Sequence, residues 1–388
     1  MALPPRRPTP NLVIGAGPTG LAIAAALARR GLTYAHIDQA ADIGHSWRHH
    51  YERLHLHTAR KHSHLPGLPM PAGWPVFPSR AQVVAYLESY AAHFGLAPQL
   101  GVKVVRAAYS AGAWDVDTEP GPGFRAERLI VATGYNAVPK RVSWPGLDTF
   151  RGEVRHAYDY RSGAMWAGKS VLVVGSGNSG AEIAIDLWEH GAKPSMSIRG
   201  PVHVVPRALF GMPTQHMSIA LSHLPARVAD RLSLPLTKRL IGDLSAYGIR
   251  RPTLGPLEML EAQGRVPMVD VGTVALIRQK AIRVFPDIAG FEATAVRFTD
   301  GRILELDALL LATGYGAGLG RFLIGADEAL DTRGLPRVHG REVTASGLAG
   351  LYFAGFRNPT TGALRESGIE AERIAQAIAK RPREAARG

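Results

Sequence analysis

Apolar runs alternate with glycine-rich and polar stretches along this chain in a recurring order: short buried strand, glycine turn, helix, second strand. Val171 to Arg199, VLVVGSGNSGAEIAIDLWEHGAKPSMSIR, carries the clearest copy. The run VLVV has no polar alternation and predicts a parallel strand buried on both faces. GSGNSG turns the chain, a helix follows, and Ser195 to Ile198 predicts the second strand. Asn11 to Asp38, NLVIGAGPTGLAIAAALARRGLTYAHID, repeats the order, with an Ala-rich helix to about Arg30, Gly31 as its stop and a strand over Tyr34 to Ile37. Two more apolar runs end alike, LIVATGY at Leu129 to Tyr135 and LLLATGY at Leu309 to Tyr315, and GLYFAGF at Gly350 to Phe356 predicts one further buried strand.

Between these units the pattern changes. Residues 41–80 read as a long irregular segment. Ser79 to Gly95 predicts an amphipathic helix with Ser79 as N-cap. Val102 to Phe124 reads as β-rich, and Pro201 to Gly255 as Pro- and Leu-rich amphipathic helices packed over the second unit. ATAVRFTDGRILELD predicts a hairpin turning at Asp300-Gly301, and GALRESGIEAERIAQAIA a closing helix. The fold class is α/β, with two Rossmann-like domains, the second inserted into the first. The expected bounds are 1–165 for the first domain, 166–305 for the second with a helical insertion at about 205–260, and 306–388 for the return to the first.

Composition narrows the function. The 388 residues are 46% hydrophobic, enough for two substantial cores, and contain no cysteine. Disulfides, thiolate metal sites and dithiol redox chemistry are therefore excluded. No apolar run reaches the roughly 18 residues of a membrane span. Met1 to Pro10 lacks the apolar core of a signal peptide and reads as a disordered Pro/Arg leader, so a cytoplasmic protein is expected. The net charge of +13 reads as an arginine-rich solvated surface; no basic stripe with interleaved aromatics suggests nucleic acid, and an acidic protein partner stays open.

The glycine turns carry the candidate chemistry. Gly15, Gly17 and Gly20, with Pro18 and Thr19 between them, and Gly175, Gly177 and Gly180, with Asn178 and Ser179, both have G-x-G-x-x-G spacing. The first glycine allows the tight turn, the second lets a pyrophosphate approach the backbone, and the third lets helix and strand pack closely. Asp38 ends the second strand of the first copy and suits an unphosphorylated adenosine ribose, as in FAD or NAD. Arg199 stands at the matching place in the second copy and suits a 2′-phosphate, which reads as NADPH; Arg207 is a weaker candidate for the same group. The segment 41–80 holds seven histidines, but their spacing matches no metal-ligand set, so no metal is expected and the segment is read as wrapping the first cofactor. A chain holding NADPH and an unphosphorylated dinucleotide reads as a flavoprotein. Its reduced flavin could serve a disulfide reductase, an electron-transfer reductase, a peroxide-releasing oxidase or a monooxygenase, and the lack of cysteine removes the first.

Phe150, Gly152, His156 and Tyr160, in FRGEVRHAYDY, match the F-x-G-x-x-x-H-x-x-x-[FY] signature of the flavin-containing monooxygenases, between two glycine motifs as in that family. With YERLHLH, VLVVGSGNSGAE, YGIRRPTLGPLEM and GLYFAGF, nearly the whole chain resembles the YUCCA-type branch. The resemblance implies FAD and NADPH as cofactors, dioxygen activation as a flavin C(4a)-hydroperoxide, and oxidative decarboxylation of an aromatic 2-oxo acid, with indole-3-pyruvate giving indole-3-acetate. Baeyer–Villiger, N- or S-oxygenation, or a flavin reductase serving an acidic electron carrier, are the alternatives. Trp47 and Arg48, in GHSWR, resemble the family's second flavin contact. His57 falls where amine- and sulfur-oxidising members carry Asn, and is the one candidate polar group for the flavin's reactive edge. His156 is expected to hold the interdomain link rather than move protons. Gly355-Phe356 stands where many related flavoproteins have Gly-Asp, which leaves the Asp role to backbone N–H groups, Asn358 or Thr361.

Overall fold

A computed structural model of the chain describes residues 5–345 and 347–380. The chain forms two compact units. The first combines the described residues up to His49 with Ala59–Val138 and the described residues from Tyr315 onward; the second combines His50–Thr58 with Pro139–Gly314.

In the first unit a seven-stranded sheet is organised on Phe124–Val131. Arg7–Ile14 runs parallel along one side of it, with Ala35–Ile37 beyond. On its other side Leu351–Phe353 pairs in parallel at residues 129–131, and Ala113–Glu119 pairs antiparallel at residues 124–126. The parallel half needs helical crossovers and is buried; the antiparallel meander needs only turns. Leu12, Ile14, Ile37, Leu129, Val131, Leu351 and Phe353 form the core that this sheet covers. The helices Pro18–Ala28, Arg80–His93 and Ala363–Lys380 complete the unit. Ser79 caps the second of these through a reciprocal box with Gln82, as its sequence suggests.

The leader reading needs correction. Met1 to Pro4 lie outside the described residues, but from Arg7 the chain is already strand, four residues ahead of Asn11. Arg7, Pro8 and Thr9 pair with Phe124, Arg125 and Ala126. Arg6 adds a bond of 2.7 Å to Asp117, and Arg7 lies over the Phe124 ring at 4.5 Å. Long-range pairing thus overrides a local composition that reads as disordered.

The second unit holds a five-stranded, wholly parallel sheet in the order Arg283–Phe285, Lys193–Ser197, Ser170–Val174, Ala308–Leu311, Glu153–His156. The helix Asn178–Glu189 crosses between its central strands. A three-stranded antiparallel sheet carries the expected hairpin, with Ala295–Phe298 and Ile303–Glu305 turning at Asp300-Gly301. Within Pro201 to Gly255, read as helical, the helices Thr214–Leu221 and Ala226–Ile241 form as expected, but the first part is short strand at Val204–Pro206, Ala208–Leu209 and Met212–Pro213; the helix Pro256–Gln263 follows. Among the described residues no helix is long and apolar enough to cross a membrane.

Candidate active site

Each unit builds one cradle from the same parts. In the first, Gly15 donates its N–H to Ile37 O at 2.8 Å, and the strand before it binds Ala132 through Ile14 O at 2.8 Å. In the second, Gly175 donates to Ser197 O at 3.1 Å and Val174 O accepts from Ala312 at 2.9 Å. Ala132 and Ala312 are the alanines of the two ATGY runs, so both runs flank a glycine turn.

The outer glycines are demanded by protein atoms. A Cβ on Gly15, at φ +114°, would lie 2.4 Å from Ala132 O, and one on Gly20 would lie 1.6 Å from Gly15 O. A Cβ on Gly175, at φ +126°, would lie 2.4 Å from Ala312 O, and one on Gly180 the same distance from Gly175 O. The middle glycines differ. A Cβ on Gly17 or Gly177 would meet no protein atom within 4 Å, and both have ordinary negative φ. Packing therefore gives no reason for glycine there, whereas a ligand lying against the backbone does. Gly17 and Gly177 are also the N-caps of their helices, and neither helix receives a side-chain cap. The free N–H groups and the positive end of each helix dipole are left for an anion.

Around the first cradle the sequence-singled residues converge. Asp38 accepts from Ala16 N–H at 2.5 Å and from Ala40 N–H at 2.7 Å, which fixes its carboxylate at the strand end. Pro18 occupies the first turn of its helix, and Thr19 Oγ1 is bonded to Ser367 Oγ at 2.7 Å. Gly355, at φ +78°, approaches Thr19 so closely that a Cβ would lie 2.3 Å from its hydroxyl. The Gly355 N–H goes to the buried carboxyl of Glu370 at 2.8 Å, and Thr361 bonds Glu366. Burial raises the Glu370 carboxyl above its ordinary range. Trp47 and Arg48 lie on the short helix His45–Arg48, tied to the turn by the Gly44 N–H to Ala16 O at 3.1 Å. Arg48 pairs with Glu88 at 2.5 Å and with Asp42 at 3.3 Å.

The same loop offers Asp42, His45 and His49, whose donor atoms lie within 4.8 Å of one another. Arg48 pairs with the same carboxylate, Nδ1 of His45 lies 2.8 Å from Asp42 Oδ1, and Nδ1 of His49 is bonded to His45 O at 3.1 Å, so each of the three residues already has a partner within the protein.

Around the second cradle, Asn178 Oδ1 accepts the Val269 N–H at 2.8 Å and anchors the helix start to the strand Met268–Asp270. Ser179 follows it in the first turn, half-buried. Arg199 is exposed just beyond Lys193–Ser197 and has no ion pair among the described residues. Arg207 is half-buried, and burial lowers its pKa from the ordinary arginine value.

The monooxygenase signature lies within this unit as structure. Phe150 packs on Phe291 at 5.4 Å, and a Cβ on Gly152 would lie 2.6 Å from Asp307 O. His156 ends the edge strand fully buried, and burial lowers its pKa. Tyr160 donates to Asp186 at 2.5 Å and stacks on Trp166 at 5.2 Å; burial, reinforced by Asp186, pushes its hydroxyl pKa up.

Sequence reasoning missed Glu182. Glu182, Asp186 and Glu189 are four and three residues apart on Asn178–Glu189, so they share one helix face. His50–Thr58 docks on this face. Tyr51 O–H donates to Glu182 Oε1 at 3.1 Å, His57 Nε2 lies 2.6 Å from the same oxygen, and Arg53 Nη1 stands 3.8 Å from Oε2. Arg53 forms a fork on Glu189 at 2.8 and 2.9 Å. Burying a carboxylate requires such partners. The signal was present in the sequence as two acids at helical spacing among buried alanines and isoleucines.

Comparison with known proteins agrees with this construction. Residues 12–207 match the family model described as pyridine nucleotide-disulphide oxidoreductase. The chain is 42% identical over 349 residues to the indole-3-pyruvate monooxygenase YUCCA1 of Oryza sativa subsp. japonica, covering 89% of this chain and 86% of that protein. Among solved structures, a flavin-containing monooxygenase from Stenotrophomonas maltophilia superposes with a TM-score of 0.73 at 24% identity, covering 96% of this chain and 99% of that one. Cyclohexanone monooxygenase from Rhodococcus sp. Phi1, bound to NADP+, gives 0.74 at 20% identity, covering 97% and 85%. These two share the fold. The chain belongs to the pyridine nucleotide-disulphide oxidoreductase family and, within it, to the YUCCA flavin monooxygenases.

Proposed function

We propose that the chain is an FAD- and NADPH-dependent monooxygenase that converts indole-3-pyruvate to indole-3-acetate. The balance is one 2-oxo acid, one dioxygen, one NADPH and one proton giving indole-3-acetate, carbon dioxide, NADP+ and water. The observation that carries the nucleotide part is the contrast within each glycine motif: the outer glycines are required by protein packing, the middle one is not. The substrate reading is supported by the likeness to proteins named indole-3-pyruvate monooxygenases, at 42% and 38% identity.

The residues fit the two nucleotides. In the first unit the uncapped helix start at Gly17, Pro18, Thr19 and Gly20 suits the FAD pyrophosphate, and the rigid Asp38 carboxylate suits ribose hydroxyls. Trp47, Arg48 and Gly355 would contact the same cofactor. In the second unit the helix start at Gly177 to Gly180 suits the NADPH pyrophosphate, with Arg199 for the 2′-phosphate. Bound FAD supplies hydride acceptance from NADPH and activation of dioxygen. The protein's own part is to hold both nucleotides, exclude water and place polar groups at the reacting atoms. His57 is the side chain we assign to that last task. Location in the cytoplasm is part of the same reading.

The test is turnover by purified, FAD-loaded protein. Indole-3-acetate and carbon dioxide formed in step with NADPH consumption are expected. Consumption that yields no acid from this substrate, but an ester or N-oxide from a ketone or amine panel, would replace the reading with another oxygenation.

A further inference from the structure

Glu182 is buried in the second unit and belongs to neither set of nucleotide ligands, yet it receives two side chains from His50–Thr58. An ionised carboxylate can only accept hydrogen bonds. Both Tyr51 O–H and His57 Nε2 must therefore donate to Oε1, at 3.1 and 2.6 Å. That requires the proton on Nε2 and leaves the Nδ1 lone pair of a neutral His57 uncommitted, for no described residue bonds it. Tyr51 is fully buried and the His57 side chain is 18% exposed, so the ring is held at Nε2 while its other edge stays accessible. Arg53 at 3.8 Å and the partly desolvated Arg207 bring positive charge to the same carboxylate.

We propose that Glu182 is a positioning residue for the oxygenation: it fixes His57 in the Nε2–H tautomer and leaves Nδ1 to accept a hydrogen bond or a proton at the reacting centre. The proposal rests on the assignment of His57 to that centre. Its first test needs no turnover. FAD-loaded protein labelled with 15N-histidine is examined by two-bond 1H–15N spectroscopy, with His57 assigned from the signals lost in His57→Gln. The proton is expected on Nε2; a neutral ring carrying it on Nδ1 overturns the proposal.

The second test separates positioning from packing. Glu182→Met keeps the volume but removes the acceptor. Product formed per NADPH is expected to fall about tenfold, the size of one charge-assisted hydrogen bond, while the KM for NADPH stays within about twofold. Glu182→Gln, whose oxygen accepts the same bond, is expected to recover most of that loss. Tyr51→Phe, which removes the other donor to Oε1, is expected to lower Tm without changing product per NADPH. Unchanged product yield in Glu182→Met, or a loss shared equally by Tyr51→Phe, overturns the proposal. If Glu182→Met does not fold, the wild-type spectrum and the yield of Glu182→Gln against His57→Gln decide it: equal losses in both overturn it. Failure of wild-type protein to make indole-3-acetate removes only the substrate reading, because the spectrum and the NADPH partition to peroxide still test Glu182.

Discussion

Gly177→Ala and Gly180→Ala should have opposite consequences although they lie three residues apart in one motif. At Gly177, φ is −78° and an added Cβ meets no protein atom within 4 Å, so alanine brings no clash, although it is a poorer N-cap than glycine. The reduced freedom of the unfolded chain, worth about 0.4–1 kcal/mol, is offset by a capping loss of similar size, so the net change in stability is expected to be small. For a unit of this size that leaves Tm within about 2 °C of wild type. The methyl nevertheless occupies ground that a pyrophosphate needs, and each lost bond from a backbone N–H to a charged oxygen costs about 1.5–3 kcal/mol. NADP+ affinity should therefore fall about 10- to 100-fold. At Gly180 the Cβ would lie 2.4 Å from Gly175 O and 3.2 Å from its carbonyl carbon, both backbone atoms, so the helix must shift. Such overpacking costs about 1–3 kcal/mol, or a Tm lower by about 2–12 °C. Differential scanning fluorimetry and NADP+ titration calorimetry on FAD-loaded protein measure the two effects. A common loss of Tm in both variants, or wild-type NADP+ affinity in Gly177→Ala, would refute the distinction between packing glycines and the ligand glycine.

Other expectations follow from single contacts. Arg199→Ala should raise the KM for NADPH about tenfold or more and leave that for NADH nearly unchanged, since only NADPH carries the 2′-phosphate; steady-state kinetics with both coenzymes checks it. Tyr160→Phe removes a 2.5 Å bond and leaves Asp186 with the Gly163 N–H at 2.8 Å, so a loss of about 1–3 kcal/mol is expected, read as a Tm lower by several degrees. Burial, helped by Arg357, lowers the His339 pKa from 6.5 to about 4. Between those values the unfolded chain binds the proton and the folded chain does not, so stability falls as pH drops through this window and is unaffected by this group above it. His36, His156 and His203 are lowered by burial too and act in the same direction. Tm measured across the window should fall on acidification, and His339→Gln should flatten part of the fall.

The two strand–turn–helix units were legible because their information is local. Strand, glycine spacing and strand-end residue fall within about 28 residues each, and the structure builds both as read. The ATGY runs were recognisable as strands, but that their alanine carbonyls pack on the first glycine of each motif depends on sheet order, which local pattern does not carry. Arg6 and Arg7 read as part of a leader because their partners, Asp117 and Phe124, are more than a hundred residues away. The acidic face at Glu182, Asp186 and Glu189 was visible as spacing yet mute as function. Its meaning arises only when His50–Thr58, which follows the first glycine unit in sequence, folds with the second unit in space.

The central claim is tested most directly by incubating FAD-loaded protein with NADPH, dioxygen and indole-3-pyruvate and analysing products by mass spectrometry against NADPH consumed. The account predicts indole-3-acetate at close to one per NADPH, with one atom of labelled dioxygen in its carboxylate. NADPH consumption that is unchanged by indole-3-pyruvate and ends wholly in peroxide would contradict it.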